Sequence, residues 1–331
     1  MAKTGRAQKK KSKDPKPSIR ADGNVTGSVL IAGNENQVTV QLEQLKTASS
    51  LFTIPLPVTD FTGRDDELKE LKASFANGAI ITGVSGGGGI GKTELARKLA
   101  QDIAGDYPDA RMSIDLLGTS QTPMPCEETM RRLIEPLYPN QKLPDDSNQL
   151  KGLYQQTFGK VKALLLLDNA ADAHQVRPLI PPAPSAAIIT SRQHFTLSEF
   201  GLTPLRLDVL EIPDARTLLR SASDKLKEAS DKELDELSTL CGRLPLALRV
   251  AAALLNDSNW TLDTLINRLK DERTRLERLR RDNDQDLDVE ATLSLSYQLL
   301  DDDLKKYFRM VSVFTAPFPN ISAQAVWGDE G

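Results

Sequence analysis

A run of glycines between a short apolar segment and an amphipathic segment constrains this chain more than any other feature. Residues 86–93 read GGGGIGKT, which fits the pattern G-x-x-x-x-G-K-[ST] in the strand-to-helix setting that the pattern requires. Glycines let successive backbone N–H groups turn inward around a phosphate chain, and the start of the following helix adds further N–H donors. The segment therefore predicts a phosphate-binding loop.

The two residues after the last glycine supply the chemistry of such a loop. Lys92 places a positive charge against the β- and γ-phosphates, and the hydroxyl of Thr93 can complete the ligand shell of Mg²⁺. The residues predicted to bind nucleotide here are Gly86, Gly87, Gly88, Gly89, Ile90, Gly91, Lys92, Thr93 and Glu94.

The same glycines allow a second interpretation. Gly86, Gly88 and Gly91 also fit G-x-G-x-x-G, the dinucleotide fingerprint, with Asp115 as the acid that binds a ribose. That interpretation explains neither the Lys-Thr pair nor Asp168, and a flexible glycine linker would not stand between a buried strand and a helix. We therefore favour phosphate binding.

A carboxylate that follows an apolar strand provides the second half of the predicted site. Residues 161–167 (VKALLLL) end at Asp168, and open α/β sheets bind ligands at the carboxyl ends of their strands. We expect Asp168 and Thr93 to hold Mg²⁺, and Asp168 and Lys92 to be the catalytic pair. The next residue, Asn169, cannot take up a proton, so we expect slow hydrolysis at most, with the nucleotide acting as a switch.

One arginine follows the next predicted strand. In residues 188–192 (IITSR), Arg192 stands just beyond the strand edge, where it can contact a γ-phosphate. A surface ion pair or a cap on the sheet edge explains the same residue equally well.

The order of apolar segments predicts the fold. Five short apolar segments alternate with helical ones: residues 79–84, 111–116, 161–167, 186–190 and 205–209. Continuous apolar strands are buried on both faces, as in a parallel sheet covered by helices. After residue 208 the pattern is helical only. We predict an α/β P-loop NTPase fold with a parallel sheet, followed by an all-α helical domain.

The series of motifs resembles NB-ARC-type signalling NTPases of the STAND class. The resemblance is carried by residues 61–68 (FTGRDDEL), 86–93, 164–169, 188–192 and 241–248 (CGRLPLAL), and residues 168–179 look like the bacterial version. Residues 295–300 (LSYQLL) through 313–314 resemble the start of a winged helix. In two places the chain departs from the family: position 243 is Arg where many relatives have Gly, and the C-terminal sensor repeats are missing.

The resemblance implies roles that the spacing does not show. Gly63 and Arg64 would lie against an adenine nucleotide, Pro245 near its base and ribose, and Arg192 at the γ-phosphate. ADP would hold a closed state, while ATP would open the helical parts and drive homo-oligomerisation. The partners implied are an adenine nucleotide and an unidentified effector or sensor protein.

Charge and composition predict the nature of the N-terminus and exclude several classes of protein. The net charge of −4 hides a basic N-terminus, with eight Lys or Arg and one Asp in residues 1–20, which predicts a disordered tail with weak nucleic-acid contact at most. Two Cys and two His exclude dense metal or disulfide chemistry, and no apolar run reaches the roughly 18–20 residues of a membrane span. We expect a cytoplasmic protein without membrane contact.

The predicted division of the chain is as follows: 1–23 basic tail, 24–48 short β-rich segment, 49–58 linker, 59–210 P-loop domain, 211–284 helical domain and 285–331 partial winged helix. The predicted function is an ADP/ATP-dependent switch in signalling, transcriptional regulation or defence. The alternatives are a DNA-binding regulator with an NB-ARC module and an active ATPase.

Overall fold

A computed structural model describes residues 51–75, 78–83, 88–139, 141–279, 287–314 and 320–327. The basic tail and the β-rich segment predicted at 24–48 lie outside the described residues. Five parallel strands form one sheet in the order β2-β3-β4-β1-β5. The strands are β1 Gly78–Gly83, β2 Ala110–Asp115, β3 Ala163–Ala170, β4 Ala186–Ser191 and β5 Pro204–Leu207.

The central strands are buried on both faces, which confirms the predicted parallel sheet. Leu164 and Leu166 of β3 pack into one hydrophobic core, and Leu165 and Leu167 pack into the other. Alternate side chains of a strand point to opposite faces, so an unbroken apolar run requires a layer of helices on each side.

The strand order rules out the dinucleotide interpretation. The glycine loop follows β1, which lies between β4 and β5, so β3 and β4 separate it from β2. In a dinucleotide-binding fold, the second strand lies beside the first. The strand that ends at Asp115 therefore does not neighbour the strand of the glycine loop, as the ribose-binding acid of that fold requires.

Helices cover the sheet and then continue alone. Those within or beside the sheet region are α1 Asp65–Ser74, α2 Lys92–Asp102, α3 Cys126–Ile134, α4 Ser147–Phe158 and α5 Ala173–Val176. Those that follow it are α6 Ile212–Ala222, α7 Asp231–Leu240, α8 Pro245–Asp257, α9 Leu262–Leu279, α10 Leu287–Gln298, α11 Asp302–Val311 and α12 Asn320–Trp327. Residues 287–314 and 320–327 contain no strand, and the winged helix stays a prediction.

The later helices share a core with the sheet. Leu99 of α2, Leu166 of β3, Leu218 of α6 and Leu248 of α8 belong to one buried cluster. Helices α6 to α10 thus share the core on the face of the sheet that α2 covers, and α8 begins at the candidate site.

Part of the predicted linker is attached to the sheet. Leu51 is buried, and Phe52 forms a parallel bridge with Arg111 at the β2 edge. The Thr53 N–H donates to the Arg111 carbonyl at 2.8 Å, so this segment is fixed before it passes the mouth of the pocket.

In the described part of the chain, no single helix has the length and apolarity of a membrane span. The pair Asp231–Leu240 and Pro245–Asp257 reaches them only when joined, and it is bent by 118°.

Candidate functional site

The described end of the glycine loop has the backbone geometry that glycine permits. Gly89 has φ 86° and Gly91 has φ 99°, and a left-handed backbone is costly for residues with a Cβ. Between them, the side chain of Ile90 is buried and anchors the loop. Helix α2 begins at Lys92, so the N–H groups of its first turn face the loop. Gly86 and Gly87 lie outside the described residues.

Thr93 and Asp168 meet across the start of α2 and the end of β3, as the sequence predicts. The Thr93 hydroxyl lies 2.9 Å from Oδ1 of Asp168 and 3.3 Å from Oδ2. A third residue, Thr190 of β4, donates its hydroxyl to the same Oδ1, and it accepts the Asn169 N–H at 2.9 Å. Thr190 was not predicted, because a threonine that ends a strand has no motif of its own.

This pair of oxygen donors fits Mg²⁺. Magnesium is bound by one or two protein oxygens together with phosphate oxygens and waters, rather than by a cage of protein ligands. The described residues contain no group of three His, Cys, Asp or Glu side chains that could hold a metal on their own. Thr93 and Asp168 could therefore hold the ion only together with a bound phosphate.

A pocket of about 490 Å³ opens above this pair, a volume typical of small-molecule sites. Twelve of the residues singled out from the sequence line it: Arg64, Gly88, Gly89, Ile90, Gly91, Lys92, Thr93, Glu94, Asp168, Asn169, Arg192 and Pro245. Apolar side chains also line the pocket: Val58, Phe61, Leu210, Leu218 and Leu246. The pocket thus offers a ligand both charged groups and apolar surface.

Arg64 lines the pocket, but its guanidinium is bound to the protein. It donates to the Asp208 carbonyl at 2.6 Å, to the Ile90 carbonyl at 3.4 Å and to the Glu67 carboxylate at 2.7 Å. The side chain is buried and holds the glycine loop to the end of the sheet. Its described contacts position the loop.

Gly63 does not line the pocket. Its φ is 69°, and a Cβ at this position would lie 2.4 Å from Cβ of Asp214 on α6. A nucleotide contact through Gly63 therefore stays a prediction, while the structure gives the glycine a packing reason of its own.

The Glu94 carboxylate is also engaged within the protein. Its Oε2 accepts the Val58 N–H at 3.0 Å and its Oε1 accepts from Arg97 at 2.6 Å. These contacts tie the segment before α1 to α2.

Arg192 reaches the glycine loop from the end of β4. Its Nη2 lies 3.7 Å from the position that a Cβ on Gly88 would occupy, and the residue is exposed. The guanidinium thus lies close to the loop, and its contact with a γ-phosphate stays a prediction.

The start of α8 is fastened to the loop. Pro245 occupies the first helical turn, where a missing N–H costs nothing. The Leu246 N–H donates to the Gly89 carbonyl at 3.2 Å, and a Cβ on Gly89 would lie 2.9 Å from Cβ of Leu246. One turn later, Arg249 forms an ion pair of 2.6 Å with Asp60 at the pocket wall.

Behind the site, Gln175 joins the loops that follow β2 and β3. Its buried amide accepts the Ala171 N–H at 2.8 Å and donates to the carbonyls of Leu116 at 2.8 Å and Met124 at 2.9 Å. The Cys126 thiol donates to the Gln175 carbonyl at 3.1 Å, and burial raises the pKa of that thiol. The carbonyls of Leu116 and Met124 lie more than 50 residues before Gln175 in the chain, so no sequence motif predicts these contacts.

Gly118 lets the same two loops touch. A Cβ there would lie 2.3–2.4 Å from backbone atoms of residues 169–171, and the Gly118 N–H donates to the Asn169 carbonyl at 2.7 Å. The backbone around Asp168 and Asn169 is therefore set by a close approach that only glycine allows.

A parallel sheet in this strand order, a glycine loop that leads into a Lys-Thr helix start, and an aspartate at the end of β3 define a P-loop NTPase fold. No protein-family model matches the chain. It is 34% identical over 281 residues to the regulatory protein AfsR of Streptomyces griseus and 25% identical over 308 residues to the disease resistance protein RPP4 of Arabidopsis thaliana. These matches cover 82% and 88% of this chain, which spans only 28% and 25% of the two relatives.

A solved STAND protein with a tetratricopeptide repeat sensor, PH0952 of Pyrococcus horikoshii, aligns with a TM-score of 0.47 and 20% identity over 81% of this chain and 37% of its own. The order of the motifs and the similarity to these relatives together identify the family. The chain belongs to the NB-ARC-type, STAND class of P-loop NTPases.

Proposed function

We propose that this chain is a cytoplasmic switch that binds ADP or ATP with Mg²⁺, and that the bound nucleotide controls the docking of the helices after the sheet. The observation that carries the proposal is the direct bond between the glycine loop and α8, from the Leu246 N–H to the Gly89 carbonyl. Because the loop that would hold the phosphates also holds α8, occupancy of one is coupled to the position of the other.

Different residues would contact different parts of the nucleotide. Lys92 would attract the β- and γ-phosphates, Thr93 and Asp168 would hold Mg²⁺, and Pro245 would lie near the base and ribose. Bound Mg²⁺ would neutralise part of the phosphate charge. Arg192, 3.7 Å from the position of a Gly88 Cβ, would distinguish ATP from ADP because only ATP carries a γ-phosphate.

We take the described arrangement, in which α8 is bonded to the glycine loop, to be the closed state that ADP would hold. We propose residues 59–210 as the nucleotide-binding domain, 211–284 as the helical domain and 285–331 as part of a winged helix. ATP would then release α8 and expose surfaces for homo-oligomerisation. A rapid ATPase is disfavoured because Asn169 stands where a second acid would be expected.

Mass spectrometry of the purified chain under native conditions, combined with light-scattering mass measurement, tests this function. The proposal expects co-purified ADP on a monomer and a larger assembly after exchange into a non-hydrolysable ATP analogue with Mg²⁺. A chain that retains no nucleotide and keeps the same mass with either nucleotide would contradict it.

Asp168→Ala should weaken binding of ATP in the presence of Mg²⁺ by about tenfold or more, because a charge-assisted contact contributes about 1.5–3 kcal/mol. Binding of ATP in EDTA should change by less than about twofold, since no metal is then present to lose. Fluorescence titration of a labelled nucleotide measures both. Asp106→Ala, at an exposed residue, is the matched control, and equal losses with and without Mg²⁺ would show that Asp168 is not on the metal side.

Arg249→Ala should speed nucleotide release by about fivefold, because its ion pair with Asp60 joins α8 to the pocket wall and a partly exposed pair contributes about 1 kcal/mol at most. Both side chains are less than one-third exposed. Stopped-flow release of a labelled ADP measures the rate. Arg132→Ala, in a surface pair with Glu128 on α3, should leave it unchanged, and an unchanged rate in Arg249→Ala would show that this pair does not restrain α8.

A further inference from the structure

A second carboxylate lies beside Asp168 at the edge of the sheet. Asp115 is the last residue of β2, and strand pairing places it directly opposite Asp168 of β3. Both residues line the pocket, and both are half-buried. The two acids are supplied by neighbouring strands, so the pairing is invisible in a search for consecutive acidic residues.

Hydrogen bonds fix one oxygen of this carboxylate. Oδ1 of Asp115 accepts the Leu117 N–H at 2.8 Å and the Asn169 amide at 3.2 Å. Within the described ranges no residue donates to Oδ2. Oδ1 is thus held in place by two hydrogen bonds, and Oδ2 can still accept a proton.

The Asn169 side chain is turned towards β2. Its backbone has φ 55°, a left-handed conformation that asparagine tolerates better than most residues. Its Nδ2 lies between Asp115 and the Thr119 hydroxyl, 3.4 Å away. An acid at position 169 would set two carboxylates about 3 Å apart, where both cannot readily be charged. The amide is therefore the partner that Asp115 requires.

We propose that Asp115 orients the attacking water in a slow ATP hydrolysis that resets the switch, and that Asn169 positions Asp115. The proposal rests on the proposed function. In this step the water oxygen bonds to the γ-phosphorus as the bond from the γ-phosphorus to the β–γ bridging oxygen breaks. The electron pair of that bond stays on ADP, and a water proton passes to Asp115 and then to the released phosphate or solvent.

The test compares wild type with three variants: Asp115→Asn, Asn169→Asp and the double variant that exchanges the two residues. Single-turnover hydrolysis should slow by about 100-fold in Asp115→Asn, the lower end of the range for a general base. Affinity for ADP and for ATP with Mg²⁺ should change by less than about twofold, since Asn keeps the Oδ1 acceptor.

The exchange tests the contact between residues 115 and 169. The double variant restores one amide and one carboxylate in contact, so we expect wild-type thermal stability. Asn169→Asp alone should be less stable than wild type at neutral pH, because it places a second carboxylate against that of Asp115.

Two results on hydrolysis would overturn the proposal: hydrolysis at the wild-type rate in Asp115→Asn, or no hydrolysis by wild type above the buffer rate. A lower stability of Asn169→Asp supports the contact between residues 115 and 169, and wild-type stability of that variant would overturn the positioning role of Asn169. Nucleotide binding by wild type in these experiments leaves the proposed function standing, while failure to bind either nucleotide would remove both.

Discussion

Lys92→Ala should lower the affinity of the chain for ADP and for ATP, each with Mg²⁺, by about 100-fold or more. Lys92 is the first residue of α2 and lines the pocket next to Gly91. A charge-assisted hydrogen bond to phosphate contributes about 1.5–3 kcal/mol, and loss of the charge also weakens the attraction to the rest of the polyphosphate. Titration calorimetry measures the change directly.

Lys98→Ala is the matched control for this prediction. Lys98 lies on the same helix, but its ammonium pairs with Asp102 at 2.9 Å on the surface. The control should bind both nucleotides with wild-type affinity. Equal affinities for Lys92→Ala and Lys98→Ala would show that the loop does not hold a phosphate chain.

Gln175→Leu should lower the free energy of unfolding by about 3–5 kcal/mol. The substitution keeps a similar volume but leaves the Met124 carbonyl and the Ala171 N–H without their partner, while the Leu116 carbonyl keeps only the Met124 N–H. Each such group costs about 1–3 kcal/mol when it is buried without a hydrogen bond. Urea unfolding followed by circular dichroism measures the loss.

The exposed Gln156 on α4 provides the comparison. Gln156→Leu should change the free energy of unfolding by about 0.5 kcal/mol or less, as surface substitutions usually do. A similarly small effect of Gln175→Leu would mean that water or the loops themselves satisfy these backbone groups, and the Gln175 side chain would then be unnecessary for the site.

Short sequence motifs predicted those parts of the site that consist of neighbouring residues. The glycine loop and the Lys-Thr pair are contiguous in sequence, and the apolar run before Asp168 requires a buried strand. Those features follow from short-range backbone geometry and burial. The structure brings Thr93 and Asp168 together at 2.9 Å, as the sequence predicts.

Contacts between residues that are far apart in the chain could not be predicted from short sequence motifs. Thr190 and Gln175 matter because of the strand order and the loop packing, which single residues do not encode. The family resemblance predicts Arg64 against the nucleotide, which stays a prediction; the contacts of its guanidinium with the carbonyls of Ile90 and Asp208 had no signal in the sequence. The orientation of Asn169 towards Asp115 likewise depends on the register of β2 with β3.

Calorimetric titration of folded wild-type chain with ADP and with ATP, in the presence of Mg²⁺, tests the central claim most directly. The account predicts saturable binding of both nucleotides at a single site, lost in Lys92→Ala and kept in Lys98→Ala. No binding of either nucleotide to the folded chain would contradict it.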